Sequence, residues 1–365
     1  MIYLDNAATS FIKPTCVQQA VHCALNTMSS PGRGAYSQAM KAAETLFKCR
    51  QAAAELFRVD EAERIVFTSN ASHGLNIAIN SLVKKNSRVL MSGFEHNSVS
   101  RPLYSSGARI KIFGRKLFEK QNALDDICEE INSADVVVCT HVSNVFGYVL
   151  PIYEIADLCN RKGIPLIVDA SQSAGILPVD QSRLKAAFIA MPGHKALFGP
   201  QGTGILICGH ETKPLIYGGS GSDSIQQHMP YFLPDRLEAG THNVPGIAGL
   251  LAGINFISEV GMDEIIKHEN LLKSIMIDEL HNTDWLVYAG NDQIGVVSML
   301  NNNHDCEQVA SILGEKGICV RAGLHCAPTA HESAGTIDTG TVRFSFSPFV
   351  TESQILYVCD TLKTL

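Results

Sequence analysis

The sequence lacks a long apolar run, a surplus of basic residues and a C-x-x-C pair, and it carries one tryptophan. No apolar stretch approaches the roughly 20 residues that a membrane-spanning helix needs, so no membrane partner is expected. Lysine and arginine number 29 against 36 aspartates and glutamates. That net charge of −7 argues against nucleic acid as the main partner, because phosphate binding needs a basic surface. The eleven cysteines are an odd count and lie scattered, several inside apolar runs such as VVVCT around Cys139 and ILIC around Cys208. This is the pattern of buried thiols in a reducing compartment, not a disulfide framework. The opening Met1-Ile2-Tyr3-Leu4-Asp5-Asn6 has no basic stretch followed by an apolar one, so a signal peptide is not read and the cytoplasm is the expected location. Neither G-x-x-x-x-G-K-[ST] nor G-x-G-x-x-G occurs, which removes the usual phosphate-loop and dinucleotide fingerprints.

What is present is a globular balance, with 45% hydrophobic and 18% charged residues over 365 positions. That length suggests a large domain and a smaller one. Short β-branched runs at 64–69, 87–92, 108–113, 135–142, 164–170, 186–191 and 204–208 read as buried strands. Helical patterns near 71–83, 124–132 and 151–162 lie between several of them, which predicts a mostly parallel seven-stranded sheet with right-handed crossovers. Two long helical patterns, 37–57 and 244–281, flank this region. The tail is different: strands at 295–300, 318–323 and 341–346, with helices at 305–315 and 352–363, form a small α+β unit. The expected division is 1–14 packing with the small domain, 15–255 as the large domain and 256–365 as the small one.

Two signals carry chemistry. Asp169 closes the apolar strand IPLIVDA, at the carboxyl edge where open α/β sheets bind ligands. Taken singly it reads equally as a helix cap or turn residue. Lys195 follows 26 residues later in Gly193-His194-Lys195, before the glycine-rich turn Gly199-Pro200-Gln201-Gly202-Thr203-Gly204. A desolvated lysine has a lowered pKa and can form a Schiff base, whereas a solvated one is an ordinary loop residue. An aldehyde cofactor with a pyridine ring, pyridoxal 5'-phosphate, needs a lysine for its aldehyde and an acid beside its ring nitrogen. Asp169 and Lys195 supply the pair.

With these residues in view, the chain resembles the class V aminotransferases, and within them the cysteine desulfurases. The opening Tyr3-Leu4-Asp5-Asn6-Ala7-Ala8-Thr9 is similar to the family's N-terminal signature. Phe67-Thr68-Ser69-Asn70-Ala71-Ser72 resembles its phosphate-binding turn, Glu95-His96-Asn97-Ser98 the segment whose histidine stacks on the ring, and Ser143-Asn144-Val145-Phe146-Gly147 its substrate-side asparagine motif. The resemblance implies the fold type I architecture of pyridoxal-phosphate enzymes, similar to aspartate aminotransferase. It also implies that Asp169 pairs with the ring nitrogen, Gln172 with the ring phenolate oxygen, and His194, Ala71 and Ser72 with the phosphate. Lys195 would hold the cofactor. Arg236-Leu237-Glu238-Ala239-Gly240-Thr241 resembles a segment whose threonine, Thr241, reaches the neighbouring subunit's phosphate. A homodimer with shared sites follows from that.

Arg321-Ala322-Gly323-Leu324-His325-Cys326-Ala327-Pro328 brackets a cysteine with glycine and proline and places an arginine nearby. Positive charge favours the thiolate, which is the nucleophile. A zinc site from His325, Cys326 and His331 meets no standard ligand spacing, and no metal is expected. The stretch resembles the loop of group II cysteine desulfurases, and its short spacing to Thr341-Val342-Arg343 fits that group. By resemblance, Arg343 grips the substrate carboxylate with Asn144 and Arg321 beside it, and Cys326 takes the sulfur of L-cysteine as a persulfide while L-alanine leaves. His96 and Lys195 complete the expected catalytic set. A sulfur-acceptor protein, as in iron–sulfur cluster assembly, is the implied partner. Pro192, Asn70, Tyr36 and Val350 depart from the family pattern. The other readings are a selenocysteine lyase acting on L-selenocysteine, a cystine C–S lyase, a transaminase, or a non-catalytic member that only docks a sulfur-transfer partner.

Overall fold

The computed structural model describes residues 1–32 and 34–365. Seven strands form the large sheet: β2 (Ile65–Thr68), β3 (Arg88–Ser92), β4 (Arg109–Phe113), β5 (Val136–Thr140), β6 (Leu166–Asp169), β7 (Phe188–Pro192) and β8 (Gly204–Cys208). Their order is β2-β8-β7-β6-β5-β3-β4, and only β8 runs against the rest. Side chains alternate across a strand, so each strand feeds two cores. Val137 and Cys139 of β5, with Ile189 and Met191 of β7, enter one cluster. Val136, Val138, Phe188 and Ala190 enter the other. A parallel sheet covered on both faces requires this near-continuous apolar pattern. Its covers include α3 (Ala71–Leu82), α4 (Asn97–Ser105), α5 (Lys120–Glu130), α6 (Ile152–Lys162) and the one-turn α7 (Gln181–Leu184).

The helical pattern that begins at Val244 is two helices. α8 (Val244–Val260) packs on α1 (Thr15–Thr27) and α2 (Ser37–Leu56). Gly261 then adopts φ +89°, and α9 (Met262–Leu280) leaves at 82° to the axis of α8. A left-handed residue after a helix is strained for any side chain but costs glycine little. From that break the chain changes cores. α9, with α10 (Cys306–Glu315) and α12 (Glu352–Leu362), covers an antiparallel sheet of β12 (Arg321–Gly323), β13 (Thr341–Ser345), β10 (Val296–Asn301) and β9 (Trp285–Tyr288). The stretch read as one strand at 318–323 is split. β11 (Ile318–Cys319) pairs in parallel with β1 (Ile2–Tyr3), while β12 joins β13. The short α11 (Pro328–Ala334) follows the cysteine loop.

The N-terminal segment crosses between the two units. Leu4 is buried in the small core, and the Ser345 N–H donates to its carbonyl. A few residues on, the Ser10 N–H donates to the carbonyl of His194 in the large one. Residues 5–9 therefore run along the seam.

Candidate active site

Because all strands but β8 run the same way, their carboxyl ends share one edge of the sheet, and the functional side chains gather there. Asp169 is the last residue of β6. Its carboxylate is buried, and Oδ1 accepts the Ser171 N–H at 2.9 Å. Burial raises its pKa above the usual carboxylate range, opposed by that hydrogen bond and by Lys195. Lys195 stands three residues beyond β7. Gly193 makes the turn possible: a Cβ there would meet Thr203 Oγ1 at 2.2 Å. Burial lowers the Lys195 pKa to about 8, helped by Arg343 and Arg321 and resisted by Asp169.

Beyond β3, Glu95 is fully buried and its Oε1 accepts from Ser92 Oγ and the Thr140 N–H, both at 2.5 Å. This ties β3 to β5. Burial pushes Glu95 up to about 8, with the nearby Asp169 carboxylate adding to the rise, so its neutral form dominates at pH 7. His96 caps α4, its Nδ1 accepting the Ser98 N–H at 3.0 Å. With Nδ1 an acceptor, the proton of the neutral ring sits on Nε2. Burial, then the cations Lys195 and Arg321, lower the His96 pKa to about 4, so the ring stays neutral at pH 7. Ser98 Oγ in turn bonds Ser72 Oγ at 2.6 Å, next to the start of α3. Asn70 caps that helix through the His73 N–H, and the first N–H groups, those of Ala71 and Ser72, open toward the cavity. Among the described residues the departure at Asn70 therefore has a clear role as a cap, which its short amide side chain performs well.

Arg343 sits on β13 between Val342 and Phe344, which point into the small core, so alternation turns it toward the seam. A cavity of about 210 Å³ is lined by Lys195, Asp169, Gln172, His96, His194, Asn144, Arg321 and Arg343, with Ala71 and Ser72 at one end. Pro192 also lines it. Gln172 Nε2 donates to the carbonyl of Ala7 at 3.0 Å, and His194 Nδ1 lies 3.1 Å from Thr9 Oγ1. Asn144 Nδ2 donates to the carbonyl of His325, while its buried Oδ1 has no partner among the described residues. An orphaned acceptor here, with the orphaned Arg343 Nε, marks a site shaped for a polar ligand.

Cys326 stands at the rim, exposed, with Arg321 Nη2 3.7 Å from its Sγ. His325 and Cys326 adopt φ +49° and +56°, two successive left-handed residues of a kind that strains any side chain. The large domain holds them. The Asn97 N–H donates to the carbonyl of Cys326 at 2.7 Å, and Asn144 bonds that of His325 at 2.9 Å. The His325 ring is buried and stacked beside His331, its Nε2 bonded to Thr341, and the described residues hold no cluster suited to a metal. Thr241 lies apart. It is exposed beside a second cavity, of about 330 Å³, lined also by Ser69, His73 and Glu238. Glu238 there is a buried hub that accepts from Arg50, the Phe67 N–H and His242. Reading the sequence alone missed Glu95, the Asn97 N–H and Asp5. Glu95 is discoverable as a charge just past an apolar strand. No local signal links Asp5 to its partner Arg343, 338 residues away.

The class-V aminotransferase family matches residues 2–358. A probable cysteine desulfurase of Methanothermobacter thermautotrophicus is 33% identical, over 100% of this chain and 94% of its own length. A cysteine desulfurase of Haloferax volcanii is 29% identical, over 99% and 88%. The apo structure of a cysteine desulfurase from Thermococcus onnurineus superposes with a TM-score of 0.92 at 29% identity, covering 100% of this chain and 94% of that one.

Proposed function

The chain belongs to the class-V aminotransferase family, and on that premise we propose that it is a pyridoxal-phosphate-dependent cysteine desulfurase that converts L-cysteine to L-alanine and leaves the sulfur on Cys326. The observation that carries this reading is one cavity joining Lys195, Asp169, His96 and Arg343, with a thiol on an arginine-lined rim. The residues fit the cofactor: a buried acid, a desolvated lysine, and a helix start whose N–H groups and positive dipole end suit a phosphate. When bound, pyridoxal phosphate supplies an electron sink for charge formed at the substrate Cα.

The chain's own residues do the rest. Asp169 would face the ring nitrogen of the cofactor and keep it protonated. Lys195, lowered to about 8, is in part a free amine near neutral pH and can take the Cα proton. His96, neutral with its proton on Nε2, lines the cavity and would cover one face of the cofactor ring. Arg343 takes the carboxylate, since a guanidinium fork matches its two oxygens. The Cys326 thiolate attacks the substrate sulfur. The S–S bond forms as the Cβ–S bond breaks, Cβ keeps the electron pair and gains a proton, Lys195 returns a proton to Cα, and alanine leaves. The strained, doubly clamped loop keeps Sγ at the cavity mouth, where the persulfide faces a sulfur acceptor.

The shared-site homodimer is part of the same proposal. Thr241 sits outside its own chain's Lys195 cavity, and Leu25, Met40, Phe47, Tyr217 and Tyr231 are large apolar side chains left exposed. A second copy that covers such side chains would bring Thr241 to the neighbour's phosphate end. The test is incubation with L-cysteine, pyridoxal phosphate and a thiol reductant, quantifying alanine and sulfide. Alanine in step with sulfide, both lost in Cys326→Ala, is the expected result. No alanine from the wild type, or an unimpaired Cys326→Ala, would overturn the reading.

A further inference from the structure

The guanidinium of Arg343 is 1% exposed, and among the described residues two of its five N–H groups are bonded. Nη2 donates to Asp5 Oδ1 at 2.5 Å and Nη1 to the carbonyl of Asn144 at 3.0 Å, while Nε has no partner among the described residues. A guanidinium carries five N–H groups in a fixed plane. Two anchors on its outer nitrogens therefore fix the direction in which the Nε edge faces. Arg343 lines the cavity and Asp5 does not, so the carboxylate of Asp5 stands behind the fork and its unused edge is left for a ligand.

Asp5 is itself immobile. The Tyr3 hydroxyl and the Ala8 N–H both donate to its carbonyl, at 3.1 Å. The Ala7 N–H donates to Ser345 Oγ at 2.8 Å, and Asn6 Nδ2 to the Ser345 carbonyl at 3.0 Å. The segment is thus stitched to β13 two residues from Arg343. Charge points the same way. Lys195, Arg321 and Arg343 crowd one small cavity with Asp169 as the anion on its wall, and Asp5 adds a counter-charge without entering the space.

We infer that Asp5 is a positioning residue: it aims Arg343 at the carboxylate of the amino-acid substrate. This rests on the substrate class proposed above. Asparagine at position 5 keeps an acceptor oxygen for Nη2 and so keeps the aim. Alanine removes it, and the long side chain of Arg343 is then free to turn toward other acceptors.

The experiment is a titration of the pyridoxal-phosphate holoenzyme with L-alanine, following the cofactor's absorbance. Asp5→Ala should weaken L-alanine binding by about 10-fold or more, the scale of a lost charge-assisted hydrogen bond. Asp5→Asn should stay within about 3-fold of wild type, a loss too small for a broken charge-assisted bond. In an Arg343→Lys background, Asp5→Ala should add nothing, because the fork through which it acts is gone. Wild-type affinity in Asp5→Ala overturns the inference, as does an undiminished effect of Asp5→Ala in the Arg343→Lys background. If the wild-type holoenzyme itself ignores L-alanine, the substrate reading falls and takes this inference with it.

Discussion

The floor of the cavity and its rim are held in place by different means. Asp169, Lys195 and His96 each stand within four residues of the end of a parallel strand, and their partners are mostly close in sequence: Ser171 for Asp169, Ser98 for His96. Arg321, Cys326 and Arg343 come from the small domain, and what orients them is far off: Asn97 and Asn144 for the cysteine loop, Asp5 for Arg343. A site of this kind separates its duties. On the proposed function, the rigid sheet edge would carry the groups that handle protons and cofactor, where an ångström of error is costly. The rim, on a second body, would carry the groups that meet substrate and sulfur acceptor.

That comparison is tested hardest at the floor. Lys195→Ala should lower alanine formation by about 10⁴-fold, the upper range for a positioned proton-transfer group. Borohydride reduction of the wild-type holoenzyme should fix the cofactor on the Lys195 peptide, as mass spectrometry of a digest will show. A label found elsewhere would break the assignment of the floor.

The seam between the two regions gives the next largest effect. Glu269 of α9 is buried beside Gly295 and borders a small space shared with Lys195 and Gln172. Burial pushes its pKa from 4.5 up to about 8. A raised folded-state pKa means that stability is fully present below the unfolded value and is lost as pH rises through the folded one. The window is therefore about pH 4.5 to 8, and the loss is on the order of 3–5 kcal/mol. Glu269→Gln should flatten that part of the denaturant-melt profile and be the more stable protein at pH 8.5. Parallel profiles for the two proteins would place an ion partner or water beside Glu269 that keeps it charged.

At the rim, Arg343→Lys should raise KM for L-cysteine by about 10- to 100-fold, since a lysine cannot make the two-point contact with a carboxylate. The absorbance of the bound cofactor should not change. A shifted spectrum would mean that rim and floor are one unit, not two.

The same division explains what could be read in the sequence. The seven strands of the large sheet were legible because a doubly covered strand must be apolar on both faces, as VVVCT is. Lys195 and Asp169 stood out only as a pair, since each alone reads as an ordinary loop lysine or a cap or turn aspartate, and the structure places both in one cavity. The resemblance to class V enzymes then supplied roles that no local pattern could. The continuous helix over 244–281 was misread because periodicity does not register one left-handed residue, and Gly261 turns the chain by 82° there. The undivided strand at 318–323 failed for a related reason: pairing partners, not composition, split it between two sheets. The clamps on the cysteine loop were illegible, since a carbonyl has no sequence signature and Asn144 meets His325 across 181 residues.

Those clamps give the smallest effect, and the one that bears most directly on the rim. Asn144→Ala removes one hydrogen bond from a loop that holds two strained residues. One such bond contributes about 0.5–1.5 kcal/mol, which corresponds to a change of roughly 2- to 10-fold. The Asn97 N–H remains, so the loop should loosen without detaching. Cys326 should then be alkylated faster by iodoacetamide by about that factor, and single-turnover persulfide formation should slow by a similar one, because the thiol spends less time at the cavity mouth. Both rates must move, and in opposite directions. If persulfide formation slows while alkylation is unchanged, Asn144 acts on the substrate alone, and the loop owes its strained geometry to Asn97 and the small domain.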